Sequence, residues 1–252
     1  HKYIDIMRDA VLTKYKLNRY YYSNLFLMSV ADDQLKPFFK PVFFTFPQDR
    51  NTFSDFTHNV MLGDSLKLSI NSDSLNQNQT TFYMPAGTWC LPLQPDQDCI
   101  QSTGQTFTWS TKAYESYVHQ REGSIVPLQD VSGILSSYDL KQRPVEFHVL
   151  GQIVDTDTNA WSASGIYAND DGLTLDVTGK YNQYVMTVRR SGSGSTEKIQ
   201  FTTNVVQKSD SKTYDDCLGA VDANDRISAI YFYIAARYTI DSNQAYTVTA
   251  WD

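Results

Sequence analysis

Along residues 3–30 the apolar side chains Ile4, Met7, Val11, Tyr15, Tyr22 and Phe26 recur at helical spacing, interrupted by Lys14, Lys16 and Arg19. No glycine or proline occurs before Pro37. This pattern predicts a single helix from residue 3 to about residue 30. Its polar stripe is narrow and its tyrosine content high, so other structure should cover most of it. From Pro37 onward the period changes to two. Residues 41–46 (PVFFTF), 65–70 (SLKLSI), 81–84 (TFYM), 107–110 (FTWS), 124–128 (SIVPL), 145–150 (VEFHVL), 181–189 (YNQYVMTVR), 199–206 (IQFTTNVV), 227–234 (ISAIYFYI) and 246–251 (YTVTAW) are rich in β-branched and aromatic side chains. They read as strands. Many short strands separated by Gly, Asn, Asp and Ser, with no second convincing helix, predict antiparallel sandwiches. The polar stretch 130–143 (DVSGILSSYDLKQR) predicts a boundary. The expected plan is a helix over 1–36, a β-sandwich over 37–140 and another over 141–252.

Candidate chemistry begins at Asp170 and Asp171, in SGIYANDDGLTLD (164–176). Successive strand residues point to opposite faces, whereas a glycosidase pair must face each other across roughly 5 to 9.5 Å. An acid/base pair is therefore not expected there. An EF-hand loop would need a later bidentate glutamate, and the downstream run offers only Asp176. Asn169, Asp170, Asp171 and Gly172 instead supply residues suited to a hairpin turn. The histidines at 1, 58, 119 and 148 share no HExxH or CxxC neighbour, which leaves a zinc site without support. No GxSxG elbow is present, and RSGSGSTEK (190–198) lacks phosphate-loop spacing and reads as a hairpin connection. The residues alone assemble no active site and call for no cofactor.

Composition narrows the field further. The chain has 252 residues, 41% of them hydrophobic, and a formal net charge of −7 with no basic run longer than Arg189 and Arg190. That leaves no footprint for a phosphate backbone, so nucleic acid is not an expected partner. The longest nearly uncharged apolar run, 229–236 (AIYFYIAA), is far shorter than the ~20 residues of a spanning helix. Cys90 and Cys99 are spaced so that a disulfide could join them, leaving Cys217 without a partner in the chain. Three free thiols in a reducing compartment is the alternative. Asn78, Gln79 and Thr80 form an N-glycosylation sequon in a polar loop, which favours a secretory route. The opening HKYIDIMRDAVL has neither an initiator methionine nor a signal core, and predicts that a longer precursor contains this chain.

Taken in order, several segments resemble the C-terminal part of the glycoside hydrolase family 31 α-glucosidases. AVLTKYKLNRYYYSNLF (10–26) resembles the last barrel helix of that family. KPVFFTFPQDRNTFSDFTHNVMLGDSLKLS (40–69) resembles its RP-hydrophobic-FP-x-D and LGD-x-L run, with Pro41, Phe46, Pro47, Asp49, Leu62, Gly63 and Asp64 in the matching places. FYMPAGTW (82–89) and REGSIVPLQ (121–129) resemble two of its strands, GIYANDDG (165–172) one of its hairpins, and QAYTVTAW (244–251) its close. Lys40 stands where the family has an arginine, Cys90 follows Trp89 where a tyrosine is common, and KLSINSDSL is more polar than the usual strand.

The resemblance implies a mainly β chain, namely the last helix of a (β/α)8 barrel followed by two antiparallel β-sandwich domains. It also implies a retaining mechanism on α-linked terminal glucose whose two aspartates lie upstream of this chain. No catalytic or substrate-binding residue is therefore assigned here, and Asp49, Asp64, Asp170 and Asp171 are expected to hold turns and strand junctions. The implied role is that of the C-terminal chain of a proteolytically processed α-glucosidase, lysosomal or secreted. Its partner would be the N-terminal catalytic chain of the same precursor, which binds most of the oligosaccharide. The alternatives are a stand-alone carbohydrate-binding or structural β-sandwich, with Trp89, Trp109 and Trp161 as stacking candidates, or a fragment of a glycoprotein-trimming glucosidase of the endoplasmic reticulum lumen.

Overall fold

The opening segment folds as two helices, α1 (Ile4–Lys16) and α2 (Asn18–Val30), with Leu17 between them at φ −84° and ψ −2°. The computed structural model describes residues 3–30, 37–54, 58–71, 78–94, 97–112, 115–141, 143–158, 160–170, 181–191, 198–207 and 227–233. The single helix expected over residues 3–30 is thus corrected. About two and a half turns separate Val11 from Tyr20 at roughly 3.6 residues per turn, so the two apolar stripes face opposite sides of a straight helix. Leu17 is buried at the break, and Tyr20, Ser23, Phe26 and Leu27 are buried along α2. No residue of α1 is buried.

The described chain divides into a unit Pro37–Glu122 and a unit formed by His1–Lys36 with Gly123–Asp252. In the first, β1 (Phe39–Pro41), β2 (Asn59–Leu62), β3 (Leu66–Ile70), β4 (Gln79–Met84), β5 (Gly87–Cys90), β6 (Ile100–Ser102), β7 (Gln105–Ser110) and β8 (Ser116–Arg121) follow in order. The sheet order is β1-β2-β3-β8-β5-β6, and β4 and β7 form a separate antiparallel ribbon. Phe82, Met84, Phe107 and Trp109 of the ribbon pack with Met61 and Trp89 of the larger sheet and with Val42 and Phe46. This unit is a two-layer sandwich. The strand expected over residues 41–46 stops at Pro41, and Val42–Phe44 is a 3₁₀ turn. That turn lets Phe43 stack on Phe53 with ring centroids 4.6 Å apart.

The stretch FYMPAGTW is likewise two strands in two layers, β4 ending at Met84 and β5 beginning at Gly87. Pro85 has no N–H for a ladder, and its carbonyl accepts the indole N–H of Trp89 at 3.0 Å. Gly87 turns at φ 127°, where a Cβ would stand 2.9 Å from a Glu122 carboxylate oxygen. The other oxygen of that carboxylate accepts the Thr88 N–H. Cys90 and Cys99 are joined by a disulfide with Cα atoms 4.3 Å apart. Closing so short a loop constrains the unfolded chain by roughly 2.5 kcal/mol. Reduction should therefore lower the urea midpoint of this unit by that equivalent, and an unchanged midpoint would exclude a stabilising role for the bond.

The second unit contains β9 (Ser124–Gln129), α3 (Ser137–Lys141), β10 (Val145–Leu150), β11 (Gln152–Asp155), β12 (Ala160–Asp170), β13 (Tyr181–Ser191), β14 (Lys198–Gln207) and β15 (Ile227–Tyr233). Their order is β14-β13-β12-β9-β10-β15, with β11 beside β12. Most pairs are antiparallel, but β10 runs parallel to β15, and β9 meets β12 in parallel. Among the described residues this unit is therefore one mixed sheet with α2 packed on β12 through Phe26, Leu27, Ile166 and Ala168. The second antiparallel sandwich expected for 141–252 includes residues 171–180, 192–197, 208–226 and 234–252, which lie outside the described residues.

The boundary also moves. Residues 124–129 were expected in the 37–140 sandwich, but β9 pairs along its whole length with β10. The chain leaves the first unit at Glu122, and Gly123 makes the turn at φ 76°. The polar stretch 130–143 belongs to the second unit, where Gln129 donates its amide to the Leu140 and Arg143 carbonyls and accepts from Arg19 of α2. Where β12 runs on past its single bridge to β9, the Ala168 N–H is taken by the Ser23 hydroxyl of α2 at 3.0 Å. A strand edge is satisfied by a helix side chain.

Candidate functional site

The sequence-selected residues do not converge on one place. Asp49 caps a 3₁₀ turn, accepting the Asn51 N–H and, at 2.6 Å, the Tyr83 hydroxyl. Burial, followed by that hydrogen bond, pushes the Tyr83 phenol up. Asp64 pairs with the ammonium of Lys40, which explains why a cation stands before Pro41 and an aspartate after Gly63. Asp170 closes β12 opposite Tyr181, while Asp171, Gly172, His1, Cys217 and the strand expected at 246–251 lie outside the described residues. His148 has its Nε2 3.5 Å from a Glu146 carboxylate oxygen. Among the described residues no group of three His, Cys, Asp or Glu side chains could hold a metal ion. Trp89 and Trp161 are buried, and Trp109 meets Phe82 edge-on at 5.1 Å and Tyr117 at 4.9 Å. These tryptophans serve packing.

Two further features take shape in the structure. The first lies inside the Pro37–Glu122 sandwich, where Lys67 and Ser69 of β3 and His119 of β8 are all fully buried. The Lys67 ammonium donates to the Ser69 hydroxyl at 2.8 Å and lies 5.2 Å from the centre of the Phe82 ring. The Ser69 hydroxyl stands 3.3 Å from His119 Nδ1, while among the described residues His119 Nε2 has no hydrogen-bond partner. Burial first, and the Lys67 charge second, hold His119 well below the usual imidazole range. An amine, a hydroxyl and an imidazole in line are the parts of a nucleophilic site. Here they are closed to solvent, so no substrate reaches the hydroxyl. The legible signal was the polarity of LKLSI, whose Lys and Ser occupy the covered face.

The second feature is the uncovered stripe of α1. Ile4, Met7 and Val11 lie one turn apart on one face and are 58%, 67% and 52% exposed, with Tyr3 beside them at 56%. Asp5, Arg8 and Asp9 form ion pairs elsewhere on the helix. Four large apolar side chains in a row on a helix that buries nothing constitute a contact surface. α2, directly following, is anchored on β9 and β12, so the stripe is presented from a fixed base. Among the described residues no helix is long and apolar enough to cross a membrane, which says nothing of β-barrels.

The fold and this surface define a β-rich region that presents an apolar helix face. Residues 35–126 match the profile of the Glycosyl hydrolase family 31 C-terminal domain, nearly the extent of the first unit. Over that range the chain is similar to that family's C-terminal domain. It is 28% identical over 187 residues to the lysosomal alpha-glucosidase of Mus musculus, covering 68% of this chain and 18% of that protein. It is 30% identical over 167 residues to an alpha-glucosidase of Hordeum vulgare, covering 66% and 17%. Among solved structures, a GH31 dextranase of Flavobacterium johnsoniae superposes with a TM-score of 0.63 at 20% identity, covering 79% of this chain and 23% of that one. A glucosidase II alpha subunit superposes at 0.65 with 17% identity, covering 91% and 23%. The chain thus spans about a fifth of the length of the relatives it matches.

Proposed function

We propose that this chain is the C-terminal, non-catalytic part of a retaining α-glucosidase, completing and bracing a (β/α)8 barrel built by the polypeptide that precedes it. The uncovered stripe of α1 carries this reading. It is the only apolar helix face in the described residues followed at once by a helix anchored on the sheet, and burying it releases about 25 cal/mol per Å² of apolar surface. The lengths of the matched relatives agree, since four fifths of such an enzyme lies outside this chain. The nucleophile, the acid/base and most oligosaccharide contacts belong to that preceding polypeptide, whether continuous with this chain or separated by processing. The disulfide and the compartments named for the relatives favour a lysosomal, secreted or endoplasmic reticulum lumenal enzyme. The stand-alone sugar-binding alternative loses its support with the burial of Trp89 and Trp161.

The test is oxidative footprinting of the full-length protein. Met7 should be protected from peroxide in the native enzyme and should become reactive in denaturant. Charging the stripe with M7D and V11D should lower hydrolysis of a chromogenic α-glucoside at least tenfold, with α-glucose as the first anomer released by the unaltered enzyme. A Met7 that oxidises in the native protein as fast as in denaturant overturns the proposal.

A further inference from the structure

We infer that Asn78 is a glycan attachment site, modified on its side-chain nitrogen by an N-linked oligosaccharide. Asn78, Gln79 and Thr80 make up the sole Asn-x-Ser/Thr sequon of the chain with a non-proline middle residue. Its position in the fold adds what a tripeptide alone does not. Asn78 lies in the turn that enters β4, exposed, and its own carbonyl is fixed by the Thr111 N–H at 2.9 Å. The backbone is held while the side chain is not.

Three other asparagine amides, two in the same sandwich and one in α2, are engaged. Asn24 donates to the Tyr20 carbonyl, Asn51 to the Tyr83 hydroxyl and Asn71 to the Lys112 carbonyl. The Asn78 side chain makes no hydrogen bond among the described residues, so attaching a sugar breaks none there. The ribbon it opens consists of β4 and β7 only, which leaves both strands as edges of a two-stranded sheet. The outward face of that ribbon is polar, with Gln79, Thr81, Thr108 and Ser110 exposed, and a bulky hydrophilic group at its end leaves the apolar layer of Phe82 and Trp109 untouched. Such a group also hinders an exposed edge from pairing with another chain.

The reaction balances as a glycosyl transfer. The Asn78 Nδ2 attacks the anomeric carbon of a lipid-pyrophosphate-linked oligosaccharide, the carbon–oxygen bond to the pyrophosphate breaks, the lipid pyrophosphate leaves, and the amide gives up one proton. No oxidant or reductant is needed. The inference rests on the secretory route proposed above, and the two can be separated experimentally.

The full-length protein, expressed through a eukaryotic secretory pathway, would be treated under native conditions with peptide N-glycosidase in heavy-oxygen water, then digested and analysed by mass spectrometry without reduction. The expected result is conversion of Asn78 to aspartate carrying heavy oxygen, loss of that signal in N78Q, and retention of the Cys90 to Cys99 bond in both proteins. N78Q should fold and secrete, because the side chain it replaces is exposed and makes no hydrogen bond among the described residues. Unmodified Asn78 beside an intact Cys90 to Cys99 bond overturns the glycan while leaving the secretory route standing. Unmodified Asn78 beside free thiols at 90 and 99 overturns both.

Discussion

G165A should destabilise the second unit by about 3 kcal/mol, the upper end of what overpacking a core costs. β12 crosses β9 at Ser164, opposite Ser124, and the next residue comes so close that a Cβ at Gly165 would lie 2.5 Å from the Ile125 carbonyl oxygen and 2.8 Å from its Cβ. The obstacle is backbone in the middle of the sheet, and no side-chain rotation relieves it. Moving β12 away would also pull Ala168 from Ser23 and so loosen α2, the helix that presents the α1 stripe. The substitution should thus lower the urea midpoint and expose α2 to hydrogen exchange together. G133A is the control, since a Cβ there meets nothing within 4 Å; its positive φ of 68° costs only local strain. A G165A protein as stable as the parent would mean that β9 and β12 do not approach as described.

Acidification should open the sandwich Pro37–Glu122, and His119 should be the cause. The sign follows from the direction of its shift. Its folded pKa is depressed below the ordinary value of 6.5, so above that value the imidazole is neutral in both states and the group has no effect. As pH falls below it, the unfolded chain takes up a proton that the folded sandwich refuses, and stability declines by about 1.4 kcal/mol per pH unit until the folded pKa is reached. The groups facing the imidazole explain the refusal: Lys67 from β3 is cationic, while Phe82 from β4, Trp109 from β7 and Tyr117 of its own strand are aromatic. H119Q should flatten the dependence of the urea midpoint on pH below 6.5. Equal slopes for the two proteins would remove His119 from the account.

Much of the architecture was legible because local pattern and local chemistry agreed. Residues 145–150, read as a strand from alternating Val, Phe and Val, are β10 to the residue. The hairpin read at RSGSGSTEK joins β13 to β14, with Ser191 opposite Lys198. The helix over 3–30 was read as one element and breaks at Leu17, whereas the strands read at 81–84 and 124–128 hold, and the longer family-like segments FYMPAGTW and REGSIVPLQ run past them across Pro85 and Gly123. Leu17, Pro85 and Gly123 mark the three breaks. Proline and glycine carry that signal locally, but Leu17 shows it only as a change of phase between Val11 and Tyr20.

By itself the sequence determined that the chain is mainly β behind a helical opening, and that its segments resemble in order those of one hydrolase family. Those conclusions depend on periods and spacings, which neighbouring residues impose on one another along the chain. Only the tertiary structure decided which face of β3 is covered, so that Lys67 and Ser69 lie inside, and which sheet receives β9. It also decided that α2 is buried while α1 stays bare. A period of two or 3.6 states that an element has two faces, and burial depends on what packs there from residues far away in the chain.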